Sequence, residues 1–142
     1  MRSPAVLLLV CQSLALSSCG ADPNAANAGC DDTVLVGVTA GVTPDFQWWP
    51  GCEVNNLVVL EGVGPHTFGQ YSATWAIESQ PDAQGVPNNR LQSGIQYGET
   101  PPGGRQVVAP APLVQGQPYT VYLNVYTLDQ RVVTRGRATF TP

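Results

Sequence analysis

From Cys30 onward the sequence alternates with a period of two, and this alternation constrains the fold more than any other feature. Tyr119, Val121, Leu123 and Val125 alternate with Thr120, Tyr122, Asn124 and Tyr126. In an extended chain successive side chains point to opposite faces, so this spacing predicts a strand with two distinct faces. The pattern recurs in Val34, Val36 and Val38, ended by Gly41, and in Phe46 and Trp48, ended by Pro50-Gly51. It returns in Tyr71, Ala73, Trp75 and Ile77, which alternate with Ser72, Thr74, Ala76 and Glu78. Within Asn56 to Glu61, Leu57-Val58-Val59-Leu60 is a continuous apolar run, as expected of a strand covered on both sides. Ile95 with Tyr97, and Val107-Val108, suggest two short strands. After a turn at Leu128-Asp129-Gln130, a last strand would place Val132, Ala138 and Phe140 inward. No segment carries the apolar repeat of an amphipathic helix. About seven strands with turn signals between them predict an all-β fold, a single antiparallel sandwich. The longest gap, residues 80–94, holds Pro81, Gly85, Pro87 and Asn88-Asn89, and so predicts an exposed loop.

Ahead of this region stands a short positive start, Met1-Arg2, and an apolar run from Pro4 to Leu16. That run suits the core of a signal peptide and falls short of the roughly 20 residues that cross a bilayer. It closes on Leu16-Ser17-Ser18-Cys19, which resembles the bacterial lipobox. The resemblance implies that Leu16, Ser17 and Ser18 guide a lipoprotein signal peptidase, and that Cys19 becomes a diacylglyceryl-modified first residue. One acyl chain holds a protein on a membrane only marginally, whereas two or three hold it stably. The expected domain plan is a signal peptide over residues 1–18, lipidated Cys19 with a flexible tether through residue 29, and the sandwich over residues 30–142. Gly20 to Gly29 is small, polar and without periodicity; its ten residues reach at most about 35 Å. Gly20 is not the aspartate that enterobacterial lipoproteins associate with inner-membrane retention. The expected address is therefore the extracytoplasmic side of a bacterial envelope, on the outer membrane where there is one.

The four cysteines fit this plan. Cys11 leaves with the signal peptide and Cys19 is consumed by lipid, so Cys30 and Cys52 remain, in a compartment that oxidises thiols. A disulfide between them is the natural pairing. It would close a loop of about 23 residues, worth roughly 3 kcal/mol on the chain-entropy account.

Leu113-Val114-Gln115-Gly116-Gln117-Pro118-Tyr119-Thr120-Val121 resembles the fibronectin type III segment in which a tyrosine opens a strand and bonds back to the backbone upstream. Phe46-Gln47-Trp48-Trp49-Pro50 resembles the early tryptophan and proline of those domains. From Thr33 to Pro142 the layout is similar to bacterial lipoproteins of uncharacterised role. The shared elements are Trp48-Trp49-Pro50, Trp75-Ala76-Ile77, Tyr97-Gly98 through Pro101 to Gly103, and Pro112-Leu113 to Val121. The resemblance implies an immunoglobulin-like sandwich of fibronectin type III kind and brings no activity with it. A Cys30–Cys52 link departs from ordinary fibronectin type III modules, which usually lack disulfides.

Chemistry-bearing residues are sparse. Six arginines and no lysine stand against ten acids, for a net charge of −4, so nucleic acid is a poor partner. His66, in Gly62-Val63-Gly64-Pro65-His66, reads as a solvated loop histidine and not as a general base. Asp31-Asp32 lacks the alternating carboxylates of a calcium loop, and Pro101-Pro102-Gly103-Gly104 lacks the Lys-Ser/Thr of a phosphate loop. No serine sits in a Gly-x-Ser-x-Gly elbow. The chain is expected to be non-catalytic, with neither a metal nor a cofactor.

Two features can mark a binding surface. Trp49 should point away from the core that Trp48 shares with Phe46, where it can stack on a sugar or anchor a protein contact. The alternative, favoured at this point, is that Trp49 covers the Cys30–Cys52 bridge. Arg131, Arg135 and Arg137 share one side of the last strand by spacing, and can meet an anionic partner such as lipid headgroups. The commoner role of such arginines is to guard a sheet edge. The expected function is a structural, adhesive or protein- or glycan-binding module of the envelope, with membrane lipid as partner through Cys19. Its rival, a small-molecule carrier, needs an apolar cavity between the sheets; a hydrolase needs His66 beside a serine and a carboxylate.

Overall fold

The computed structural model describes residues 29–67 and 72–142. The expectations for Leu16, Ser17, Ser18, Cys19, the tether before Gly29 and Tyr71 fall outside them. Among the described residues eight strands and no helix are present: β1 (Leu35–Val38), β2 (Asp45–Trp49), β3 (Asn56–Glu61), β4 (Ala73–Ser79), β5 (Ile95–Gln96), β6 (Gly104–Val108), β7 (Tyr119–Tyr126) and β8 (Val132–Phe140). They form two antiparallel sheets, ordered β1-β2-β5 and β6-β4-β3-β7-β8. This is the expected all-β sandwich, and each of its eight strands falls on a segment that the sequence marked as extended.

The inward positions of both sheets meet in a core of large rings and branched aliphatics. Phe46, Trp48, Trp75, Leu57, Val59, Ile77, Val121 and Leu123 are essentially inaccessible to solvent. Phe46 stacks on Trp75 with ring centroids 6.2 Å apart and meets Phe140 edge-on at 5.6 Å. Trp75 in turn packs on Tyr97 at 5.0 Å, and Tyr119 on Phe140 at 5.8 Å. Rings of this size fill the space of roughly 10 Å between two packed sheets. At the entry to β7 the Tyr119 hydroxyl accepts a hydrogen bond from the Val114 amide at 3.0 Å. That is the backward bond implied by the resemblance at Leu113 to Val121.

One end of the sandwich is closed covalently. Cys30 and Cys52 form a disulfide with Cα atoms 5.2 Å apart. The indole Nε1–H of Trp48 donates to the Cys52 carbonyl at 2.7 Å, tying β2 to the bridge. The Trp49-Pro50 and Gly64-Pro65 peptide bonds are cis.

Two expectations need correction. The first concerns residues 80–94. Their tip is exposed, but Asn88, Asn89 and Leu91 are buried. The Asn89 side chain acts as a surrogate strand: its amide donates to the Tyr126 carbonyl and its oxygen accepts from the Tyr126 amide, both at 2.8 Å. Leu91 and Val54 exchange backbone hydrogen bonds of 2.9 and 3.0 Å. Asparagine signals a turn by sequence, yet its carboxamide also carries the donor and acceptor of a peptide group, and here it uses them.

The second concerns β8. Leu123 pairs with Gly136 and Asn124 with Thr134, so Arg135 is an extra residue, a β-bulge. A bulge shifts the alternation by one position. Ala138 and Phe140 do pack on the core, but before the bulge it is Val133 that does so. Val132, expected inside, lies outside at 59% exposure.

Candidate binding face

The outer face of the five-stranded sheet is built by the second set of positions in the alternation. Along β7 these are Thr120, Tyr122, Asn124 and Tyr126. Asn124 lies opposite Asn56 of β3 and Thr134 of β8. The three side chains form a ladder across the strands: Asn124 donates its amide to Asn56 Oδ1 at 2.7 Å, and its own oxygen accepts from the Thr134 hydroxyl at 2.6 Å. Each carboxamide has two hydrogens and two lone pairs, so Asn56 and Asn124 keep donor and acceptor capacity beyond these bonds, and the Thr134 oxygen can still accept.

The ladder floors the middle of a trough. A cavity of about 370 Å³ is lined by Asn56, Val58, Asn124, Val132 and Thr134. It shares Thr134 with a second cavity of about 330 Å³ bounded by Thr33, His66, Tyr122, Arg135 and Arg137. On the other side it shares Asn56 and Val132 with a third of about 250 Å³, where Glu78, Ser79, Arg105 and Tyr126 lie. The trough thus crosses the sheet. Amides and hydroxyls alternate with apolar valine in its centre, and charge is confined to its ends. At one end Glu78 and Arg105, opposite each other on β4 and β6, form an ion pair. At the other, Arg137 lies opposite Tyr122.

His66 forms part of the wall. Its Nδ1 lies 2.8 Å from the Tyr122 hydroxyl and its Nε2 lies 2.9 Å from the Glu61 carbonyl. The Tyr122 hydroxyl also accepts the His66 backbone amide at 2.9 Å, and the two rings meet edge-on at 5.7 Å. The expected solvated loop histidine is therefore half-buried and fixed. Gly64 is required beside it, because a β-carbon there would lie 2.2 Å from the Tyr122 hydroxyl oxygen. The segment from Gly62 to His66, read as a plain turn, is a strap laid over the sheet.

The candidate residues named from sequence fall elsewhere or apart. Trp49 is 59% exposed, on the outer face of the small sheet opposite Leu35. It is Trp48, not Trp49, that shares the buried cluster with Cys30 and Cys52 and bonds to the Cys52 carbonyl. The three arginines do not form one row: Arg135 and Arg137 border one cavity, and Arg131 and Arg135 another. Arg131 belongs to the turn before β8, where it pairs with Asp129 and donates Nε to its carboxylate at 2.6 Å. Hydrogen bonds from Thr127 and Arg131 hold the Asp129 carboxyl below its usual range. Arg135 occupies the bulge, where its carbonyl accepts from the Val34 amide at 2.8 Å. Only Arg137 stands on the outer face of β8. Spacing by two fails as a guide wherever a bulge intervenes.

Sequence reasoning missed the ladder. The signal was there: asparagine is depleted from strands, so Asn56 and Asn124 within two strongly apolar strands mark positions that packing alone does not explain. Among the described residues no group of three or more His, Cys, Asp or Glu side chains is placed to hold a metal ion. No helix among them is long and apolar enough to cross a membrane.

No protein-family model, curated protein or solved structure matches the chain. What the fold and the face define is therefore a class: an antiparallel β-sandwich of two sheets bearing a polar trough on the larger one.

Proposed function

We propose that the chain is a lipid-anchored, non-catalytic binding module of a bacterial cell envelope, and that the trough takes a glycan. The carrying observation is the Asn56–Asn124–Thr134 ladder set beside Val58 and Val132. A sugar presents hydroxyls that both donate and accept, arranged around an apolar face of C–H groups. Amides, a hydroxyl and valine methyls in one shallow trough answer both. The uncharged centre favours a neutral or N-acetylated glycan over an anionic one. A rival role as a carrier is disfavoured by the rings of Phe46, Trp75, Tyr97 and Phe140, which occupy the space between the sheets.

The anchor rests on the lipobox and the run before it. The fibronectin type III reading is supported by the Tyr119–Val114 bond and by the sheet order. A sheet of first, second and fifth strands facing one built on the third, fourth and last two is the arrangement of those modules, with β6 as an additional edge strand.

The test is a titration of the isotopically labelled protein with an N-acetylated amino-sugar tetrasaccharide and, separately, a neutral glucan tetrasaccharide. Side-chain amide signals of Asn56 and Asn124 should shift, and Thr134→Val should weaken binding about tenfold, the loss of one or two hydrogen bonds. Shifts confined to other surfaces, or an unchanged affinity in Thr134→Val, would overturn the trough as the site.

A further inference from the structure

The end of the sandwich from which the chain runs back toward Cys19 is also where large apolar side chains face solvent. Gly29 lies against Asn89: a β-carbon on it would stand 2.8 Å from the Asn89 carboxamide. Cys30 and Asp31 border a cavity of about 420 Å³ with Leu128, Asp129 and Arg131 of the β7–β8 turn. Leu128, at the tip of that turn, is 80% exposed, and Val86, across a smaller cavity from it, is 49% exposed. β2 ends at the same end with Trp49, beside Leu35, the first residue of β1.

We propose that this end of the sandwich rests on the bilayer, with Leu128, Val86 and Trp49 immersed in a zwitterionic phospholipid interface. The proposal depends on the lipid-anchor reading of Cys19. Ten residues separate Cys19 from Cys30, and a flexible chain of that length has a root-mean-square span of about 17–19 Å. The anchor thus holds this end within reach of the headgroups, at a high effective concentration. Tryptophan and leucine suit that layer, where an apolar body enters the acyl boundary and a polar tip stays wet.

Charge selects the lipid. Asp31, Asp32, Glu53 and Asp82 lie at this end, against Arg90 and an Arg131 already paired with Asp129. The surface is acidic, so contact is driven by apolar immersion and opposed by anionic headgroups. The opposite end also exposes valines, Val42, Val63 and Val114, but Cys30 and the segment that leads to it from Cys19 join the sandwich at the Leu128 end. Those residues supply the control.

The full-length lipidated protein, reconstituted in phosphatidylcholine vesicles, is read in two ways. Flotation with the vesicles reports the anchor. Brominated phosphatidylcholine reports depth, through a tryptophan introduced at each end as Leu128→Trp or Val114→Trp, with the wild-type signal subtracted. The expected result is flotation of both variants and about twofold quenching at position 128 with little at position 114, as for immersion by 5–10 Å. Equal quenching at the two positions, or none at either, in protein that floats would overturn the docking and leave the anchor standing. Failure to float would remove the anchor reading, and the docking with it. Replacing part of the lipid with an anionic phospholipid should lessen the quenching at position 128. An increase would overturn the choice of a zwitterionic surface.

Discussion

Tyr97 shows how a single residue couples the core to an edge loop. Its ring packs on Trp75 and its hydroxyl donates to the Ala111 carbonyl at 2.6 Å, fastening the segment that follows β6. Burial, with a smaller contribution from Tyr119, pushes its pKa up to about 12 from 10.0. The folded protein therefore holds the proton more tightly than the unfolded chain. The stabilisation is complete below pH 10 and is lost as pH rises from 10 toward 12. The urea midpoint, measured across that window, should fall with a slope that Tyr97→Phe reduces. An identical slope in the variant would show that other groups govern alkaline unfolding. Tyr119 plays a similar fastening part, which the resemblance of Leu113 to Val121 to the fibronectin type III segment implied in advance. Asn89 was not legible. Only once the chain has brought it beside Tyr126 does its carboxamide become a strand partner.

Among the elements, β8 departs most from its expected form. The bulge at Arg135 lets Gly136 follow on the inward side, where β1 packs closest to the large sheet. A β-carbon on Gly136 would meet Val34 and Val36 methyls at 2.7 Å and Leu123 at 3.2 Å. Gly136→Ala should therefore cost about 2 kcal/mol through overpacking, seen as a lower urea midpoint with unchanged slope. A neutral effect would mean that β1 shifts away at no cost. β8 is also an edge strand, and a bulge at an edge discourages pairing with another chain. Most strands were legible to within a residue or two, because burial on one face imposes the period of two; β6, read as Val107-Val108, starts three residues earlier at Gly104. The bulge was missed, although Gly136 inside a strand pattern is a local signal for one.

At the scale of the whole molecule, the Cys30–Cys52 bridge ties the first described residues to the loop after β2. Replacing both cysteines with serine should lower stability by roughly 3 kcal/mol, from the restored entropy of the unfolded chain. Equilibrium unfolding of the double variant measures it, and a loss below about 1 kcal/mol would show that the unfolded chain is already compact in this region. The bridge also sets the exit of the chain beside Asn89 and Leu128. The trough, for its part, crosses the sheet on an outer face, so in the proposed orientation a glycan would be bound to the side of the membrane-facing end.

The sequence by itself determined the all-β class, the position of most strands, the pairing of the two cysteines and the expectation of an anchor at Cys19. These are matters of periodicity, turn chemistry and short motifs, all written locally in the chain. Tertiary structure alone decided which side chains share a surface. It joined Asn56 of β3 to Asn124 and Thr134 of the distant β7–β8 hairpin, and it kept three arginines that are close in sequence from forming one row. The physical reason is register: which residues stand opposite each other depends on pairing between distant strands and on where register shifts such as the one at Arg135 fall.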